Sequence, residues 1–208
     1  MPVSAEVRWF FANALPGEVG RWFARGGSAS TAVPREDHYL LFPSSLGLNV
    51  KLREGRLEVK SLVKTLGVRT FTTAAAGNVQ LWEKRFGGDA ALREFENLRS
   101  TASHLWIAIR KERTLRTFSP DGDSLIEIPA GRVFLSEGCN VELTTIQVEG
   151  SAYWSFAIEA FGASNRVEQH LRHVAGIVLA DEHNPPHPFP ASDSCSYPEW
   201  IERFSKKA

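Results

Sequence analysis

The sequence has little of what marks several large classes of protein. Among its 208 residues there are two cysteines, Cys139 and Cys195, and one methionine, and 24 basic side chains balance 24 acidic ones. Two cysteines this far apart, without a Cys-x-x-Cys pair, argue against a thiolate zinc site and predict free thiols in a reducing compartment. A net charge of zero provides no global attraction to nucleic acid or to an anionic membrane, so we expect neither as a partner.

Long apolar runs are also missing, and the first residues do not show the pattern typical of a secretory leader. No apolar stretch reaches the roughly 18 residues of a membrane span, and no basic segment followed by an apolar one opens the chain. No serine lies in a Gly-x-Ser-x-Gly elbow, which argues against a hydrolase triad. We therefore expect a soluble, cytoplasmic protein. We assign residues 1–180 to one domain, and residues 181–208, with the proline-rich HNPPHPFPAS, to a C-terminal arm packed on it.

What the chain does have is strands with one apolar and one charged face. The stretch from Leu48 to Lys64, LNVKLREGRLEVKSLVK, predicts a hairpin that turns at Glu54 and Gly55. Its polar positions are Asn49, Lys51, Arg53, Arg56, Glu58 and Lys60. The same mixture recurs on other predicted strands at Glu6, Arg8, Lys111, Arg113, Glu142 and Glu159. A repeated mixture of this kind favours a shared polar surface over several unrelated solvated faces.

About eight such strands, mostly adjacent in sequence, alternate with three amphipathic helices. The helices are predicted over residues 15–25, from an N-cap at Asp89 to about Arg99, and from Asn165, where Glu168 would complete a capping box. This order predicts an α+β fold that is mainly antiparallel β, an eight-stranded barrel or tunnel with peripheral helices. If the helices cover the apolar strand faces, the charged faces must line the bore.

Cations in such a bore need anions, because an unpaired buried charge costs several kcal/mol. The predicted cations are Arg8, Lys51, Arg53, Arg56, Lys60, Lys111 and Arg113, with Lys84 and Arg85 as candidates whose face the alternation does not assign. Glu6, Glu58, Glu142 and Glu159 neutralise only part of this charge. The remainder predicts a phosphate-rich small molecule, such as a triphosphate, as the partner.

The order of these segments resembles a known family. In chain order the relevant motifs are Ser4-Ala5-Glu6-Val7-Arg8, Asp37-His38-Tyr39, Val50-Lys51-Leu52-Arg53, Lys60, Lys111-Glu112-Arg113 and Ala157-Ile158-Glu159. Between residues 3 and 162 this series is similar to the triphosphate tunnel metalloenzymes, or CYTH superfamily, which include bacterial adenylate cyclases of the second class and thiamine triphosphatases. Each motif alone is weakly specific, and their order is the stronger signal.

The resemblance implies a function for each half of the charged surface. In that family, glutamates hold a divalent metal and basic residues hold the triphosphate. This implies a Mg²⁺ or Mn²⁺ site at Glu6, Glu142 and Glu159, with Glu6 and Glu159 as catalytic groups. Ser4 and Ala157 stand where the family has glutamates, which weakens a site for hard cations. We expect triphosphate or polyphosphate binding with residual hydrolysis at most, in either a divergent triphosphatase or a pseudoenzyme.

Two other readings remain open at this stage. In the first, the inward charges pair with one another and the barrel is a non-catalytic scaffold for protein interaction. In the second, the barrel carries an apolar ligand in the manner of lipocalins, which requires apolar rather than charged faces inside. Self-association into a homodimer is compatible with both phosphate binding and a scaffold function. The sequence does not distinguish between these two functions.

Overall fold

A closed antiparallel barrel forms the body of the protein. The computed structural model describes residues 3–25, 29–42, 45–122, 124–129, 135–180 and 185–206, and within them ten strands join in one sheet. They are β1 (Val3–Ala12), β2 (Ser30–Thr31), β3 (Arg35–Leu40), β4 (Leu48–Arg53), β5 (Arg56–Thr72), β6 (Ala75–Phe86), β7 (Trp106–Asp121), β8 (Ser124–Ile128), β9 (Gly138–Val148) and β10 (Ser151–Gly162). Eight close a ring in the order β7-β3-β4-β5-β6-β1-β10-β9, in which β9 pairs with β7. The predicted fold class is confirmed.

The two strands outside the ring both pair with β7, so β7 is the most extensively bonded strand of the sheet. All pairings between named strands are antiparallel, as expected where most strands follow one another through short turns. The hairpin between β4 and β5 turns at Glu54 and Gly55, both with positive φ, as predicted.

Four helices accompany the barrel in the described residues: α1 (Gly17–Ala24), α2 (Asp89–Thr101), α3 (Val167–Val178) and α4 (Tyr197–Ser205). Two predicted helix starts are wrong. The N-cap of α2 is Gly88, one residue before the predicted Asp89. The N-cap of α3 is Arg166, one residue after the predicted Asn165, and no side chain caps this helix. A capping box does form at the start of α4, between Ser196 and Glu199.

The apolar strand faces point outward and are covered by helices. Val7 and Trp9 of β1 are fully buried in a cluster that includes Trp22 of α1 and Leu171 of α3. Gly77 of β6 permits this packing, since a Cβ there would lie 2.5 Å from Val7 Cγ2 and 2.6 Å from Trp9 Cζ2. With the outer faces apolar, the alternating positions of the same strands must face the bore.

The C-terminal segment packs along β1 and then fills one end of the bore. The backbone N–H of Cys195 donates to the carbonyl oxygen of Arg8 at 3.0 Å. Further on, Trp200 of α4 stacks on Phe10, with ring centres 4.7 Å apart, among inward-facing apolar residues that include Ile109 and Ile146. Residues 181–184 of the predicted arm lie outside the described residues. No helix in the described ranges is both long and apolar enough to cross a membrane.

Candidate anion-binding site

A polar cavity of about 110 Å³ lies inside the barrel. One water molecule needs about 10–15 Å³ of such a cavity. The cavity therefore has room for several waters or for one small anion. Every predicted site residue except Arg56 lines it, namely Glu6, Arg8, Lys51, Arg53, Lys60, Lys111, Arg113, Glu142 and Glu159. Arg56 is exposed, because it directly follows the turn at the end of the β4–β5 hairpin.

One side of the cavity carries an excess of positive charge. We call Arg35, Lys51, Arg53, Lys84 and Lys111, on β3, β4, β6 and β7, the basic wall. Beneath it, Asp37 is completely buried and has four cations close to its carboxylate: Arg53 at 2.9 Å, Arg35 and Lys111 at 3.3 Å, and Lys51 at 3.8 Å. Glu58 of β5 contacts Lys51 and Lys84 at 3.1 Å and Arg53 at 3.3 Å. Five cations thus share two carboxylates.

Burial and the crowding of charges both shift the pKa values on this wall. Burial lowers the pKa of Lys51, and Arg53 adds to that effect against Asp37 and Glu58, so the pKa falls to about 8. Burial likewise lowers the pKa of Lys111 well below its ordinary value, despite the attraction of Asp37. For Asp37 burial acts to raise the pKa, but Lys111, Arg53 and Lys51 outweigh it and hold the pKa far below the usual range.

The opposite side bears three carboxylates, on three adjacent strands. We call Glu6 of β1, Glu142 of β9 and Glu159 of β10 the carboxylate wall. Arg8 donates to Glu6 at 2.8 Å and to Glu142 at 3.1 Å, and Arg113 donates to Glu142 at 2.7 Å. Lys60 Nζ contacts Glu6 at 3.0 Å and Glu159 at 2.8 Å. Three cations therefore match three carboxylates here, and the surplus of the cavity is confined to the basic wall.

The carboxylate wall does not fit a divalent metal as it stands. No group of three or more carboxylate, histidine or cysteine side chains in the described ranges is arranged to hold an ion. Lys60 and Arg8 outweigh the effect of burial and lower the pKa of Glu6 to about 2, so its charge is already balanced. Ala157 faces both Arg8 and Glu142 in the strand register, and its small side chain leaves room for the Arg8 guanidinium.

Tyrosines from the barrel and from the arm enclose the basic wall. Tyr39 and Tyr197 stack with ring centres 5.4 Å apart, and Lys111 Nζ lies 3.7 Å from the Tyr197 ring centre. Lys111 also donates to the Tyr39 hydroxyl at 2.5 Å. Burial raises the pKa of Tyr197 to about 12, so both rings serve as neutral walls around a cation. Ser196 and Pro198 complete the arm's contribution to the lining.

Several of these residues escaped the sequence analysis. Asp37 and Tyr39 were named only in the Asp37-His38-Tyr39 motif, without a role in the site, whereas the inward positions of β3 are Arg35, Asp37 and Tyr39. That alternation was the available signal. Tyr197 had none, because its place depends on how the arm returns to the barrel. Of the two unassigned candidates, Lys84 lines the cavity, and Arg85 is exposed beside Glu83.

The capping box of α4 can be tested by Ser196→Ala. Loss of the cap should destabilise the protein by about 1 kcal/mol and lower Tm by about 2–4 °C, because Ser196 orients the segment that carries Tyr197. Thermal unfolding by circular dichroism measures this. Ser100→Ala, at an exposed serine of α2, is the control and should change stability by less than about 0.5 kcal/mol. Equal losses in the two variants would contradict the role assigned to the cap.

No family model matches the chain, and no curated protein matches it either. Solved structures with a related course of the chain include a conserved hypothetical protein from Pyrococcus furiosus, 14% identical, with a TM-score of 0.42 over 93% of this chain and 98% of that one. The PH1819 protein of Pyrococcus horikoshii OT3 is 13% identical, with a TM-score of 0.47 over 98% and 99% of the two chains. A chain of the Schizosaccharomyces pombe Mediator head module is 7% identical, with a TM-score of 0.42 over 86% and 94%. Likenesses of this size carry no functional argument.

Proposed function

We propose that the barrel binds a small polyphosphate group, in the manner of a CYTH-like tunnel, with the phosphate oxygens against the basic wall. The observation that carries this proposal is the five cations that share Asp37 and Glu58 around one cavity. Two arginines there offer planar forks for bidentate contacts, and three lysines supply point charges. A ligand with several negative charges relieves the repulsion among them.

The lowered pKa values of Lys51 and Lys111 support the same conclusion. An anion that approaches a lysine whose pKa is depressed by burial and by neighbouring cations stabilises its charged form. Clusters of perturbed titratable groups in a cavity are typical of functional sites. Hydrolysis is not part of the proposal, because Glu6 and Glu159, the predicted catalytic pair, are both bound to Lys60.

A second candidate is a non-catalytic scaffold, and one observation favours it. Every cation that lines the cavity has a carboxylate oxygen within 4.0 Å, so the charges also hold the strands to one another. In a scaffold, this network would be complete without a ligand. In a binding site, the basic wall takes up an anion and the protein becomes more stable in its presence.

Titration with tripolyphosphate separates the two candidates. We expect saturable binding by calorimetry and a rise in Tm of several degrees, since a ligand at about 100 times its Kd contributes about 2.7 kcal/mol. The double variant Lys51→Ala/Arg53→Ala should lose both signals, because it removes two cations of the basic wall. No binding and no rise in Tm for the unaltered protein would favour the scaffold.

The control for this experiment is Arg56→Ala/Arg85→Ala. It removes the same number of positive charges from exposed positions outside the cavity. If binding reflects only the overall charge of the protein, both double variants weaken it equally. If the basic wall is the site, the control binds as tightly as the unaltered protein. Lys84→Ala, whose side chain is about one-third exposed, serves as a milder variant of the wall should the inner pair reduce folding.

A further inference from the structure

We infer that this site takes its anion free of divalent metal, because the Lys60 ammonium holds the place between Glu6 and Glu159 that a metal ion would need. The inference rests on the proposed polyphosphate binding and specifies the form of the ligand: an uncomplexed anion rather than its magnesium salt. It departs from what the resemblance to metal-dependent enzymes implies for the carboxylate wall.

The position of Lys60 follows from the strand register. Glu6 and Glu159 lie directly opposite each other on the neighbouring strands β1 and β10. Lys60 reaches them from β5, and its Nζ lies 3.0 Å from Glu6 Oε2 and 2.8 Å from Glu159 Oε1. A metal ion held by both carboxylates would compete with Lys60 for these oxygens. The ammonium therefore supplies within the chain the positive charge that an ion would otherwise bring.

The third carboxylate of this wall is engaged in the same way. Glu142 accepts from Arg113 at 2.7 Å through one oxygen and from Arg8 at 3.1 Å through the other. Arg8 also binds Glu6 through its Nε, so one guanidinium joins two of the carboxylates. Arginine does not give up its proton at accessible pH, so a metal cannot displace this charge by deprotonation.

The charge balance points to the same conclusion. The carboxylate wall is neutral with its three cations in place, and the basic wall already has more cations than carboxylates. A divalent ion would add two positive charges to a cavity with a positive surplus. Lys60 would have to give up its contacts with both Glu6 and Glu159, at 3.0 and 2.8 Å, before an ion could take its place. An incoming free anion instead reduces the surplus.

The consequence is measurable with tripolyphosphate in EDTA and in excess Mg²⁺. We expect full binding in EDTA and at least about tenfold weaker apparent binding, or about 1.4 kcal/mol, when Mg²⁺ exceeds the ligand, because Mg²⁺ withdraws the free anion. Binding that requires Mg²⁺ would overturn this inference while leaving the proposed function intact. No binding in either buffer would remove the proposed function itself.

A second test needs no phosphate ligand. Lys60→Met frees Glu6 and Glu159, so Mn²⁺ should bind at least about tenfold tighter than to the unaltered protein, by loss of the free-ion signal in electron paramagnetic resonance. Lys84→Met makes the same change on the basic wall and should gain nothing. If Lys60→Met is too unstable to purify, Lys60→Gln, which also removes the positive charge between the two carboxylates, replaces it. Tight Mn²⁺ binding to the unaltered protein at Glu6 and Glu159, or no gain in either Lys60 variant, would overturn the inference.

Discussion

Replacing Asp37 with asparagine should destabilise the barrel by about 3–5 kcal/mol, the range measured when one partner of a buried ion pair is removed. Asparagine has nearly the same shape, so the loss reflects charge and not packing. Four cations within 3.8 Å of this carboxylate would lose their main counter-charge, and Glu58 alone would face the whole basic wall. Urea denaturation followed by circular dichroism measures the change.

The same variant tests the function, because an anion can substitute for the missing carboxylate. Tripolyphosphate should stabilise Asp37→Asn more than it stabilises the unaltered protein, since the basic wall of the variant has one more uncompensated charge. Glu83→Gln, which removes one partner of an exposed pair with Arg85, is the control and should cost less than about 1 kcal/mol and show no added response to the ligand. If Asp37→Asn does not accumulate, Glu58→Gln changes the other carboxylate of the wall. Equal stabilisation of variant and unaltered protein would argue against anion binding at this wall.

Affinity for the anion should fall as the pH rises above about 8. The pKa of Lys51 is about 8 in the free protein, and a bound anion raises it, so the complex holds more protons than the free protein over the interval between the two pKa values. By linkage, affinity then decreases by up to about tenfold per pH unit for each proton taken up. Lys111 contributes to the uptake, because its pKa is also lowered by burial and by neighbouring cations.

Calorimetry in buffers of different ionisation enthalpy counts these protons directly. Lys51→Arg is the matched control, since arginine keeps the charge but does not titrate, and it should remove the part of the uptake due to Lys51. Sulfate does not titrate in this range. The protons counted when sulfate is the ligand are therefore taken up by the protein alone. An affinity for sulfate that stays constant from pH 7 to 9.5 would show that neither lysine contacts the bound anion.

Strand periodicity alone predicted most of the architecture and most of the residues that line the cavity. Residues two apart in a strand share a face, so the placement of Glu6 with Arg8, Lys51 with Arg53 and Lys111 with Arg113 followed from the chain itself. The sequence also predicted that the apolar strand faces point outward, because helices with apolar stripes lie between the strands. Arg56 was predicted to line the cavity but lies outside it. Alternation tells on which face of a strand a residue lies, and it does not tell where along the strand the cavity ends.

The charge balance of the cavity was the part that alternation could not provide. Asp37 was missing from the carboxylates predicted for the bore, although its alternation with Arg35 and Tyr39 was a signal for it, and alternation does not tell which cations a buried carboxylate contacts. Helix starts were missed for a similar reason. The capping box predicted at Asn165 does not form and the one at Ser196 was not predicted, because the backbone geometry at each helix entry decides which side chains form these hydrogen bonds.

By itself, then, the sequence determined that eight strands with one apolar and one charged face would enclose a polar bore, because side-chain alternation is a local property of the backbone. The tertiary structure decided how those charges are shared: Lys60 between Glu6 and Glu159, Asp37 beneath four cations, and Tyr197 of the arm against Lys111. These pairings join residues far apart in the chain, and only closure of the barrel and return of the arm bring them within hydrogen-bonding distance.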